Sequence, residues 1–285
     1  MTWKTCLSKT AGYLDAKGVP DAGSAAELLM ARLLGTGRGF LAPELGKEAS
    51  ERHLEAMRRA IARLVRGEPL QYVLGEWDFR SLTLKCDRRA LIPRPETEEL
   101  VTRVLRYLVT CPAERPVVVD VGTGTGAIAL AIAAEFPAAA VVATDVSAEA
   151  IALAKENAAL TGLADRVGFA VADGLDDFDE PESIDVIVSN PPYVESAVCE
   201  RLDPRVRDFE PRLALDGGET GLDFYERYLA DALNLLRPGG AVFFEIGENQ
   251  GEALRRLFAD CGFSEIAVER DFAGHDRYAS ARLLQ

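Results

Sequence analysis

The 285 residues, 48% hydrophobic and 27% charged, have the length and balance of a globular chain of about two domains, and no apolar run approaches the ~20 residues that span a membrane. Residues 1–20 lack the apolar core of a signal peptide. The five cysteines, Cys6, Cys86, Cys111, Cys199 and Cys261, form no Cys-x-x-Cys pair, which points to a reducing, cytoplasmic setting and to neither a zinc site nor a disulfide framework. The net charge of −14 divides into +3 over residues 1–85 and −17 over 86–285, so the larger part should repel bare nucleic acid and the two parts should have different tasks.

Residues 1–66 are predicted to form a small helical bundle. One helix runs from about Trp3 to Ala16 and stops before Gly18-Val19-Pro20; a second starts at Asp21 or Ser24, both good N-caps, and runs to Leu34 before Gly35. A third covers about Lys47 to Arg66, with Leu54, Met57, Ile61 and Leu64 on one apolar stripe. The flanking Arg52, Arg58, Arg59, Arg63 and Arg66 read as a solvated face before they read as a docking patch. Gly67-Glu68-Pro69 ends this pattern. Residues 67–95 then read as a β-hairpin linker, with extended runs at Tyr72–Leu74, Trp77–Phe79 and Leu82–Leu84.

From 96 to 285 helices and strands alternate. Helices are predicted over 96–109, 125–135, 148–160, 222–236 and 249–261. Strands are predicted over 117–121, 140–144, 166–171, 184–189, 240–246, 264–270 and 277–284. This is the pattern of an α/β domain whose mostly parallel sheet is covered on both faces. The last two strands have no helix between them and should pair antiparallel.

Two loops carry the chemistry. Asp120-Val121-Gly122-Thr123-Gly124-Thr125-Gly126-Ala127 sits where a buried strand turns into a helix. Glycines there permit a tight turn and close approach of the backbone to a ligand, and the free N–H groups of the helix start favour a carboxylate or other anion. Asp145, at the end of the next strand, suits a ribose hydroxyl. Gly122-x-Gly124-x-x-Ala127 also fits a dinucleotide fingerprint, so NAD stays open. The alternate glycines at 122, 124 and 126, with a second acid at Asp173 followed by Gly174, favour S-adenosylmethionine; Asp173 could equally be a solvated loop acid.

Ser189-Asn190-Pro191-Pro192-Tyr193 follows the strand at 184–189, at the end of the sheet where open α/β folds bind ligands. An amide nitrogen is a poor nucleophile because its lone pair is delocalised. Two acceptors, the Asn190 side-chain oxygen and the Pro191 carbonyl, can take both of its N–H protons and aim it at a sulfonium methyl. Two prolines stiffen the loop, and the Tyr193 ring can pack on the flat acceptor. Catalysis would then be mostly positioning, which can contribute ~7–11 kcal/mol. No metal is called for, and His53 and His275 offer no metal cluster.

With these motifs the sequence resembles, over nearly its whole length, the bacterial release factor glutamine methyltransferases, a branch of the seven-stranded, Rossmann-like class I methyltransferases. Gly67–Tyr72, Leu91-Ile92-Pro93-Arg94-Pro95-Glu96-Thr97-Glu98, Asp120–Gly126, Asn190–Tyr193, Glu210–Leu215 and Gly217–Leu222 carry the resemblance. Asn-Pro-Pro-Tyr alone is shared with adenine-N6 methyltransferases of nucleic acid; the segment from Ile92 to Glu98 makes it specific. The resemblance implies methyl transfer from S-adenosylmethionine to N5 of the glutamine in the Gly-Gly-Gln motif of peptide-chain release factors, hence a role in translation termination, without a direct nucleic-acid or membrane partner. It implies cofactor contacts at Gly122, Thr123, Gly124, Thr125, Gly126, Asp145, Asp173, Gly174 and Asn190, and glutamine contacts at Asn190, Pro191, Pro192 and Tyr193. It also implies a helical N-terminal domain that helps to dock the protein substrate. Arg94 and Glu98 are candidates for substrate contact, although the two prolines could serve only to start the helix at Glu96.

Overall fold

The computed structural model describes residues 1–284 and divides into two compact units, Met1–Glu76 with Asp203–Phe209, and Trp77–Leu202 with the residues from Glu210 on. In the first unit α1 (Trp3–Ala16) is capped by the Thr2 hydroxyl, and α2 (Ala22–Leu34) follows Asp21 and ends at a left-handed Gly35. The third helix, α3 (Glu51–Val65), starts later than the predicted Lys47. Trp3 N–H donates to the Lys47 carbonyl and Thr2 bridges Glu48, which holds that stretch extended, and Ser50 then caps the helix. Trp3, Leu14, Met30 and Met57 fill the core of this unit.

Tyr72–Leu74 is not a strand. Pro69 opens a one-turn helix, α4 (Leu70–Leu74), which Gly75 closes at φ 77°. Arg63 Nη2 donates to the Tyr72 carbonyl at 2.9 Å and Nη1 to the Val73 carbonyl at 3.3 Å, so α3 supplies the caps that α4 needs at its end. The hairpin is therefore shorter than predicted, with β1 (Glu76–Phe79) and β2 (Leu82–Lys85) alone.

In the second unit α5 (Pro95–Thr110) has proline at its first position and Glu96 and Glu98 in its first turn, both favourable there. The chain continues through β3 (Val117–Val121), α6 (Ala127–Glu135), β4 (Ala140–Asp145), α7 (Ala148–Leu160), β5 (Val167–Val171) and β6 (Ile184–Ser189). The loop after β6 contains two single helical turns, α8 (Ser196–Cys199) and α9 (Pro204–Arg207), before α10 (Asp223–Leu235), β7 (Leu236–Glu245), α11 (Gly251–Asp260), β8 (Ser264–Arg270) and β9 (Asp276–Arg282). The seven strands lie in the order β5-β4-β3-β6-β7-β9-β8, with β9 antiparallel to both neighbours and the other pairs parallel. Alternate residues of the central strands enter two cores. Val118, Val186, Val188 and Phe243 join α5 and α6 on one face; Val119, Ile187, Val242 and Phe244 join α10 and α11 on the other. Among the described residues no helix is long and apolar enough to cross a membrane.

Candidate functional site

A cavity of about 1000 Å³, part of it open to solvent, lies at the carboxyl ends of β3, β4, β5 and β6. Gly122 to Thr125, Asp145, Asp173, Gly174, Asn190, Pro192 and Arg94 all line it. Gly122, Gly124 and Gly126 all take positive φ, at 73°, 56° and 84°. A side chain on Gly122 would meet open space, whereas one on Gly126 would come within 3.2 Å of Ala154 Cβ and Leu130 Cδ1. Gly126 therefore does not line the cavity; it lets the loop pack against α6 and α7.

Asp120 is fully buried behind this loop. Its Oδ2 accepts from the Thr123 hydroxyl at 2.5 Å and from Ala129 N–H at 3.1 Å. Burial pushes its carboxyl up to about 7, and Oδ1 has no partner among the described residues. Asp145 Oδ2 accepts from Gly124 N–H and Oδ1 from Ser147 N–H, each at 2.9 Å, and burial raises this carboxyl too. Each oxygen keeps a second lone pair, so a ribose diol can be met without breaking the loop's own bonds. The Asp173 carboxylate is engaged by Arg227 Nη1 at 2.7 Å. At Gly174 a side chain would lie 2.9 Å from the Tyr228 ring. Phe224 and Tyr228 of α10 add aromatic surface to the cavity. Sequence reasoning missed both, because aromatic residues on an amphipathic helix look like core. Left-handed glycines, an acid at the next strand and aromatic walls are the donor set and shape that a nucleoside with an amino-acid tail requires, so the residues present fit S-adenosylmethionine.

The acceptor motif splits in two. Asn190 and Pro192 line the cavity; Pro191 and Tyr193 do not. Tyr193 is partly buried against the core beside α10 and α11, and burial pushes its phenol up to about 12. Its carbonyl accepts from Gln250 Nε2 at 3.1 Å, which pins the turn. Pro191 is buried, and its carbonyl receives no hydrogen bond from the described residues. Asn190 Nδ2 donates to Thr97 Oγ1 at 3.2 Å, and Thr97 Oγ1 donates to Glu245 Oε2 at 2.6 Å. Glu245, at the end of β7, is wholly buried, and desolvation pushes it up to about 7. Neither Thr97 nor Glu245 was expected. The sequence separations of 93 and 148 residues leave no local signal.

Arg94 reaches the cavity wall while Nη2 donates to Glu210 Oε1 at 2.5 Å, and Glu210 Oε2 accepts from Ile92 N–H at 3.1 Å. Glu98 is turned away. Its Oε1 accepts from Arg80 N–H at 3.0 Å and its carbonyl from Arg80 Nη1 at 2.7 Å, so it ties the β1–β2 turn to α5. Among the described residues no group of three or more His, Cys, Asp or Glu is placed to hold a metal ion.

A family model described as the PrmC N-terminal domain matches residues 5–75, and one described as the methyltransferase small domain matches 101–202. The release factor glutamine methyltransferase of Geobacter sulfurreducens is 39% identical, over 99% of this chain and 97% of its own. That of Moorella thermoacetica is 41% identical over 97% of each. The solved hMettl16 catalytic domain, 15% identical, covers 84% of this chain and 85% of its own at a TM-score of 0.56, and shares the fold. With these relatives aligned over nearly its full length, and with the cofactor loop and Asn190 brought to one cavity, the chain belongs to the release factor glutamine methyltransferases.

Proposed function

We propose that this protein transfers a methyl group from S-adenosylmethionine to N5 of the glutamine in the Gly-Gly-Gln motif of class 1 release factors. The observation that carries this reading is Asn190: its Nδ2 is held by Thr97, and among the described residues nothing donates to its Oδ1, on a residue that lines the cavity beside Gly122–Thr125. When bound, S-adenosylmethionine supplies an electrophilic methyl on a positively charged sulfur. Asp145 accepts the ribose hydroxyls, and the glycine loop, whose N–H groups at Gly122, Thr123, Gly124 and Gly126 are spent within the fold, lets the backbone approach the amino-acid tail closely. Asn190 Oδ1 accepts one N–H of the substrate amide and the Pro191 carbonyl the other. The NH2 group is thereby fixed so that its lone pair, perpendicular to the amide plane, faces the methyl. Pro192 walls the amide in, and the proton lost from nitrogen passes to water. The helical N-terminal unit, residues 1–66 with the segment that leads to β1, contributes to holding the protein substrate.

The test is incubation with labelled methyl donor and a purified class 1 release factor, then mass-spectrometric mapping of the modified residue. Label on the Gly-Gly-Gln glutamine is expected. Label on DNA or RNA with the release factor unmodified would replace this reading by the adenine-N6 one. Asn190→Ala should bind S-adenosylmethionine within about threefold of the parent and lose at least about a hundredfold in kcat, the size seen when one preorganised polar group is removed from an active site.

A further inference from the structure

We propose that Thr97 and Glu245 are positioning residues that fix which end of the Asn190 side chain faces the substrate. The proposal rests on the reading of the site given above. An asparagine amide has an acceptor end and a donor end of nearly equal shape, and a 180° rotation exchanges them. Methyl transfer to an NH2 group needs the acceptor end in the cavity. The rotated form would offer N–H groups instead, which suit the substrate's carbonyl oxygen and leave its nitrogen unaligned. Nothing in Asn190 itself prevents that.

The constraint comes from behind. Glu245 is wholly buried at the end of β7, and its carboxylate oxygen receives the Thr97 hydroxyl at 2.6 Å. A hydroxyl has one proton. Once that proton points to Glu245, Thr97 Oγ1 can only accept from Asn190, so the side chain must turn Nδ2 towards Thr97, the arrangement found at 3.2 Å. The row thus runs from Glu245 Oε2 as the acceptor, through one hydroxyl, to an amide oxygen at the cavity. The three residues come from β7, the first turn of α5 and the turn after β6, and both Thr97 and Glu245 are buried, so water does not randomise the directions.

The experiment uses the full-length protein with a purified release factor and compares the parent with Thr97→Val, Thr97→Ser and Glu245→Gln. Three quantities are read: kcat, KM for the release factor and affinity for S-adenosylhomocysteine. Valine keeps the shape and removes the hydroxyl; kcat should fall about tenfold, the scale of one charge-linked hydrogen bond, with KM and S-adenosylhomocysteine affinity within about twofold. Serine restores the hydroxyl and should return kcat to within about threefold of the parent. Glutamine at 245 can donate to Thr97 and release its proton towards Asn190, so kcat should fall while KM holds. Parental kcat in Thr97→Val, or equal impairment in the valine and serine variants, overturns the proposal. So does a loss of kcat matched by a loss of S-adenosylhomocysteine affinity, which would mark a purely structural role. If Thr97→Val does not fold, parental kcat in Glu245→Gln overturns it instead. Absence of any transfer to a release factor by the parent protein removes the reading beneath the proposal and the proposal with it, whereas parental transfer with unchanged variants removes the proposal alone.

Discussion

Asp120 holds the glycine loop with one carboxylate oxygen while the other has no partner among the described residues. Desolvation raises this carboxyl from 3.8 to about 7. The linkage sign is therefore opposite to that of a salt-bridged acid: its contribution to stability is complete below about pH 4 and is lost as pH rises through about 7. Asp120→Asn keeps an acceptor for Thr123 and Ala129 and cannot ionise. Its Tm relative to the parent should rise steadily between pH 4 and pH 7 and level off above that. A difference in Tm that stays flat over this range would mean Asp120 is not destabilised by its charge. Glu245, raised in the same direction, keeps part of the slope in both proteins.

At the scale of elements, the turn after β6 is held from behind by the segment before α10. A side chain at Gly217 would lie 2.7 Å from the Pro192 carbonyl oxygen and 2.8 Å from Tyr193 Cα, and one at Gly221 would lie closer still to the Tyr193 carbonyl. Backbone cannot yield as a flexible side chain does. Gly217→Ala should cost about 1–3 kcal/mol in chemical denaturation and lower kcat by more than tenfold, because the displaced turn carries Asn190. S-adenosylhomocysteine affinity should change less, since the glycine loop after β3 is untouched. These contacts explain why the Gly217–Leu222 segment accompanies the acceptor motif, a link that the spacing in the sequence does not reveal. The elements themselves were largely legible: the apolar runs at Val117–Val121 and Ile184–Ser189 could be little else than buried strands, and Gly35 and Pro95 mark helix ends where the structure has them. Tyr72–Leu74 was misread because a short apolar triplet fits either state, and a guanidinium from another helix decided it. Glu98 and Tyr193 were placed in the site from their motifs, but their partners, Arg80 and the core beside α10, are distant in sequence.

Over the whole molecule the charge is as uneven as its parts. The −17 on residues 86–285 opposes a phosphate backbone, while a protein substrate needs no such footprint. Methylation of a release factor should therefore be insensitive to competing DNA or RNA at equal mass. If the helical unit adds contacts away from the glutamine, an isolated Gly-Gly-Gln peptide should show a KM at least about tenfold above that of the intact release factor, with a smaller change in kcat. Equal KM values would confine recognition to the cavity. The cysteines, all free, should leave Tm unaltered by reductant.

The place of β9 has a further consequence. It lies between β7 and β8 although it follows both along the chain, and Tyr278 in it sits opposite Glu245. As the polypeptide leaves the ribosome, β7 emerges as a bare edge and β8 as a ribbon with nothing to join, until residues 276–282 have cleared the exit tunnel. At ~5–20 residues per second the delay is brief, but an edge of unpaired N–H and C=O groups is open to wrong partners throughout it. The carboxylate that gives Asn190 its direction is thus walled in on this side only once β9 has paired with β7.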